Sequence, residues 1–137
     1  MKIFAVICTR TNNFSKVTQD LLDTLSSFGV QVKVMTNQTS IFEAYKKGLD
    51  KCDASSEDIV IFCHDDIELL DTKADFIAKI ASCLRENTGI VGPAGTTRLG
   101  PDAVWWNYDN WRAGLHSGAV YHRGKKGQIY NTEYGPY

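Results

Sequence analysis

The run Ile59-Val60-Ile61-Phe62-Cys63 contains no polar residue and stops abruptly at His64-Asp65-Asp66. A strand with one face in water alternates apolar and polar side chains, whereas a strand covered on both faces reads as a continuous apolar run. Such a run demands helices above and below it and a neighbouring strand of the same kind. Ile3-Phe4-Ala5-Val6-Ile7-Cys8 supplies that neighbour, and it too ends in polar residues, Thr9-Arg10-Thr11.

The stretches between these runs have a helical period. Ser15 can cap a helix whose apolar positions are Val17, Leu21, Leu22, Leu25 and Phe28, with Gly29 as its stop. Val30, Val32 and Val34 alternate with polar residues as a second strand. Ser40 opens another helix, with Glu43 at capping-box spacing and a stripe of Ile41, Phe42, Tyr45 and Leu49. Asp71 is the expected N-cap of a third helix carrying Phe76, Ile77, Ile80 and Leu84, and Gly89-Ile90-Val91-Gly92 predicts a fourth strand. This βαβαβαβ order over residues 1–92 predicts an α/β fold, a mostly parallel open sheet with helices on both faces. Residues 93–137, rich in Gly, Pro, Trp and Tyr, are expected to form loops and a hairpin of the same domain. A chain of 137 residues supports one core rather than two.

Composition removes several classes of function. Apolar residues make up 43% and charged residues 23%, as in soluble globular proteins. No apolar run approaches the roughly 20 residues that span a bilayer. The net charge is −1 with no basic stripe, which argues against nucleic-acid binding, and Arg123-Gly124-Lys125-Lys126 reads as a solvated turn. Cys8, Cys52, Cys63 and Cys83 lack CxxC spacing and read as reduced thiols of a cytoplasmic protein.

If the second and third strands flank the first on opposite sides, the strand order reverses beside the first strand. Ligands of open α/β sheets bind at such a switch point, outside the carboxyl ends of the strands. Thr9-Arg10-Thr11 would then lie near His64-Asp65-Asp66. Two adjacent carboxylates repel, and a cation relieves the repulsion. Hard oxygen donors of this kind suit Mg²⁺ or Mn²⁺ together with waters and substrate phosphates. Successive residues of an extended chain point in opposite directions, which favours Asp66 as the direct ligand and Asp65 in a supporting role. On the dipeptide alone, a role for both in capping turns before the third helix stays open.

The segment Ile59 to Ile67 resembles the aspartate motif of GT-A-fold, family-2-like glycosyltransferases, and Ser40 to Leu49 resembles the helix those enzymes place before it. Gly89-Ile90-Val91-Gly92-Pro93-Ala94-Gly95 followed by Trp105-Trp106 is similar to the stretch after the motif in a subgroup of that family, so the likeness covers roughly residues 1 to 120. It implies a Rossmann-like GT-A fold, a nucleotide-diphosphosugar donor such as a UDP- or GDP-sugar, and Mn²⁺ or Mg²⁺. By matched position, Asp66 stands at the metal ligand, His64 near the donor ribose, and Thr9-Arg10-Thr11 in the loop that contacts the nucleotide. Where the family carries an acid that reads the base, this chain has Met35-Thr36-Asn37-Gln38, and Asn37 is the remaining hydrogen-bonding candidate.

Trp105-Trp106-Asn107-Tyr108-Asp109-Asn110-Trp111 offers flat faces and amides that suit sugar rings, although tryptophans closing a core under a loop would look the same. Arg10 and Arg98 can each bond phosphate. The only acid after Asp109 is Glu133, and nothing marks it as a catalytic base. The expected function is therefore metal-dependent sugar transfer to an unknown acceptor, and the alternative is a catalytically silent module that binds nucleotide or sugar. A phosphoryl-accepting receiver domain fits poorly, because Thr9-Arg10-Thr11 stands where such proteins carry paired acids.

Overall fold

The computed structural model describes residues 1–86, 88–92, 94–96, 114 and 116–133. The chain divides into two compact units, Met1–Lys79 and Ile80–Tyr137. In the first, β1 (Ile3–Thr9), β2 (Gln31–Thr36) and β3 (Ile59–His64) form a parallel sheet in the order β2-β1-β3. Helices α1 (Lys16–Ser27), α2 (Ile41–Asp50) and α3 (Lys73–Cys83) follow the strands in turn. This is the helix-flanked parallel sheet that the sequence predicts.

Strand alternation sorts β1 between two cores. Phe4 and Val6 join Met35, Ala44 and Cys52 on the α2 face, and Ala5 and Ile7 join Leu21, Leu25 and Val30 on the α1 face. Phe76 of α3 packs on the α1 side, its ring 5.5 Å from that of Phe28. Four successive residues of β1 are buried, so the central strand carries both cores.

The local signals for α1 act as expected. The Ser15 hydroxyl accepts from the Thr18 N–H at 3.1 Å. At the other end Gly29 has φ 86°, the Val30 N–H reaches the Leu25 carbonyl at 3.0 Å, and the Gly29 N–H reaches Ser26 at 3.0 Å. That pair of bonds is a Schellman stop, which needs the left-handed residue that glycine supplies without strain.

Several expectations are corrected. Val17 is exposed and Thr18, bonded to Ser15, takes the buried place. In α2 only part of the stripe is covered: Tyr45 packs on the core, but Phe42 is 83% exposed and Leu49 exposed, and Ala44 and Gly48 are the residues that face the sheet. A Cβ on Gly48 would overlap the Val6 side chain, so α2 sits on β1 at a separation only small residues allow. Ser40 precedes α2 but makes no side-chain cap bond; Glu43 instead accepts from the Thr39 hydroxyl at 3.0 Å and pairs with Lys47 at 2.9 Å. Thr72, not Asp71, caps α3, accepting from the Asp75 N–H at 3.2 Å, while Asp71 pairs with Lys79 at 2.7 Å. Leu84 lies just past the end of α3.

β3 is half-buried rather than covered on both faces, because among the described residues β1 is its sole strand neighbour. Residues 89–92 do not form the predicted fourth strand. Ile90 is 95% exposed and Val91 53%, so among the described residues these four, bounded by glycines, find no apolar cover. The second unit has its own antiparallel sheet, ordered β4 (Ala94–Thr96), β5 (His116–Arg123) and β6 (Ile129–Glu133).

Candidate functional site

The strands of the first unit end almost level. Cys8 is in register with Met35 on one side and His64 on the other, and Thr9 is opposite Thr36. The loops that begin at Arg10, Asn37 and Asp65 therefore leave one edge of the sheet side by side, where the strand order reverses. That edge is the topological switch point of an open sheet. It brings together Thr9-Arg10-Thr11, Asn37 and His64-Asp65-Asp66 from three separate parts of the sequence.

Each loop has a local reason for its course. Thr9 is buried at 6% exposure, and Arg10 and Thr11 are exposed. The Thr11 hydroxyl accepts from the Asn13 N–H at 2.8 Å, a serine/threonine turn that folds the chain back toward α1. No acid occupies the first turn of α1, so nothing offsets the partial positive charge of its N-terminus. In the second loop Asn37 has φ 54°, and it is the one non-glycine residue with positive φ among those described. Asparagine tolerates this left-handed backbone better than most residues. Gln38 braces the loop, donating from Nε2 to the Thr36 carbonyl at 2.8 Å and accepting from Lys47 Nζ at 3.1 Å. The neighbouring Lys47, then the Thr39 hydroxyl, hold the Glu43 carboxyl below its usual range.

His64 ends β3 exposed; Asp65 is half-exposed and Asp66 exposed in the turn that follows. Among the described residues, no hydrogen bond or ion pair engages either carboxylate. The third helix is capped elsewhere, by Thr72, so the turn-capping role left open by the dipeptide is not the one these acids have. Among the described residues, no three His, Cys, Asp or Glu side chains gather into a group that could hold a metal ion. Two uncommitted carboxylates at an open edge nevertheless fit Mg²⁺ or Mn²⁺, which take one or two protein oxygens and complete their shells with water and phosphate. Asp66, the more exposed, would be the protein ligand.

Tyr45 is a neighbour of this site that periodicity alone assigned to an apolar stripe. Its ring packs against Phe62 with centroids 5.1 Å apart. Burial first, and then the nearby Cys63 and Cys8 thiols and the Asp65 carboxylate, push its phenol up to about 12. A hydroxyl on the helix facing strands with polar ends was the available signal. Cys63, on the other face of β3, is pushed up to about 11 by burial. Trp105 and Trp106, with Arg98 and Asp109, lie outside the described residues.

A family model described as "Glycosyltransferase like family" matches residues 5–135. No curated protein and no solved structure matches the chain significantly.

Proposed function

Since the chain belongs to this glycosyltransferase-like family, we propose that it binds a nucleotide-diphosphosugar at the β2-β1-β3 carboxyl edge and transfers the sugar in a Mg²⁺- or Mn²⁺-dependent reaction. The observation that carries the reading is the level ending of three parallel strands, which sets the Asp65-Asp66 turn beside the Thr9-Arg10-Thr11 loop. A diphosphate fits such an edge. It can accept backbone N–H bonds near the start of α1 and a charge-assisted bond from Arg10. Asn37, held away from extended geometry, presents its amide for the base, and His64 stands next to the place for the ribose. A divalent ion held by Asp66 would neutralise the diphosphate as it leaves with the bonding electrons. Asp65 adds negative charge beside that ion, and Tyr45 keeps the Phe62–His64 strand end in place.

Calorimetric titration of UDP- and GDP-sugars, with Mn²⁺ and then with EDTA, tests this. Manganese-dependent binding of at least one donor, lost in Asp66→Ala, is the expected result. Absence of binding for every donor under both conditions would overturn it. Donor binding without hydrolysis or transfer, in native protein and Asp66→Ala alike, would instead support a silent binding module.

A further inference from the structure

The basic cluster Arg123-Gly124-Lys125-Lys126 takes no part in the site above, and the fold places it at the tip of the β5–β6 hairpin. Arg123 and Ile129 are the last register pair, and the chain turns back between them. The turn is held by its own backbone. The Gly124 N–H donates to the Gln128 carbonyl at 2.8 Å, and the Gly127 N–H donates to Gly124 at 2.9 Å. The Gln128 side-chain oxygen accepts from the Lys126 N–H at 3.1 Å, and Lys125 and Lys126 stand exposed.

Large side chains stand exposed directly behind these cations: Tyr121 at 62%, Ile129 at 52% and Tyr130 at 53%. Register and alternation put Tyr121, Arg123 and Ile129 on one face and His122 and Tyr130 on the other. The Tyr130 ring is stacked on His122, 5.2 Å between centroids, and is still half exposed. Glu133 is the one carboxylate in β5 and β6. It lies four residues from Ile129 along β6, about 14 Å at about 3.4 Å per residue, and is screened from the tip at physiological salt. Positive charge is thus concentrated at one end of this hairpin in a chain whose net charge is −1.

A solvated turn accounts for the lysines but leaves the exposed isoleucine and tyrosines without a role. A nucleic-acid phosphate track accounts for charge and rings but not for Ile129. An anionic bilayer surface accounts for both, with headgroups opposite the cations and tyrosine and isoleucine at the headgroup boundary. We infer that the β5–β6 tip docks peripherally on an anionic lipid surface through the exposed Lys125 and Lys126, with Tyr121, Ile129 and Tyr130 entering the interface. The docking is independent of the transferase reading, and among the described residues no helix is long and apolar enough to cross a membrane.

Sedimentation of the full chain with phosphatidylcholine vesicles, with and without phosphatidylserine, tests the inference. Binding should require phosphatidylserine and fade as salt rises from about 0.1 M to about 1 M, where the screening length falls from about 10 Å to about 3 Å. Lys125→Glu with Lys126→Glu should weaken it on the order of tenfold or more, since each cation near an anionic surface contributes to binding. Ile129→Ser with Tyr130→Ser should weaken binding while leaving its salt dependence in place. Circular dichroism of each variant checks that the fold is retained. Absence of binding, equal binding to pure phosphatidylcholine, or a charge-reversed pair that binds like the native chain would each overturn the inference. Retention on a duplex oligonucleotide without vesicle binding would overturn it in favour of nucleic acid.

Discussion

The ring of Tyr45 in α2 packs against Phe62 in β3 at 5.1 Å and a 48° tilt, two residues before His64. That contact fixes the helix against the strand that delivers the carboxylate pair. An aromatic pair of this kind contributes about 1 kcal/mol beyond the area it buries. Tyr45→Phe keeps the ring and should unfold near neutral pH as the native chain does, whereas Tyr45→Ala should lose more than that amount in urea denaturation, because the buried area goes with the ring pair.

The same residue gives an alkaline signature. Its phenol is raised from 10.0 to about 12, first by burial. A raised value means that the folded state favours the neutral phenol. The stability from this source is therefore complete below pH 10 and is lost as pH rises toward about 12. Difference absorbance between native protein and Tyr45→Phe should show one phenolate forming near pH 12; ionisation of that residue near 10 would contradict the packing.

Gly48 sets the distance between α2 and β1. A methyl group there would overlap Val6 and crowd Met35 Cγ at 3.3 Å. Gly48→Ala gains about 1 kcal/mol of helix propensity, but overpacking costs about 1–3 kcal/mol, so the net expectation is loss of stability. Urea midpoints of Gly48→Ala, and of Gly48→Ala combined with Val6→Ala, check this; relief in the double variant identifies the overlap as the cause.

Asp58 joins the start of β1 to the approach to β3. Its carboxylate accepts from the Ser55 N–H at 3.0 Å and from the Lys2 N–H at 2.6 Å, which in that order hold it down to about 2 from 3.8. A lowered value stabilises the fold above pH 3.8, and that contribution disappears as pH falls toward about 2. Asp58→Asn should flatten the acid limb of stability measured between pH 5 and 2.

Thiol labelling at neutral pH should be unequal. Cys83 is exposed, Cys52 is buried and donates to the Gly48 carbonyl at 3.2 Å, and Cys63 is pushed up to about 11 by burial. Only the thiolate attacks a labelling reagent, so Cys83 should react first and Cys63 and Cys52 slowly until the protein is denatured. Peptide mapping after brief alkylation identifies the order.

Much of the first unit was legible because its signals are local. The apolar runs around Val6 and Ile61, the Ser15 cap and the Gly29 stop each depend on residues within a turn or two of one another. Burial was less legible. Phe42 resembles a core residue and Gly48 does not, yet helix-to-sheet distance reverses their places, and distance is set by two elements together. Thr72 displaced Asp71 as a cap by one position, within the usual uncertainty of helix ends. The 89–92 strand failed because a short apolar segment is a strand only if something covers it.

The sequence by itself determined the order of strands and helices through α3 and the polar character of those strand ends, because periodicity and capping are carried by neighbours along the chain. Only the tertiary structure decided that β2 and β3 flank β1 in level register, and hence that Arg10, Asn37 and Asp66 follow strands ending on one edge. Strand order and register depend on contacts between residues tens of positions apart, and no local pattern specifies them.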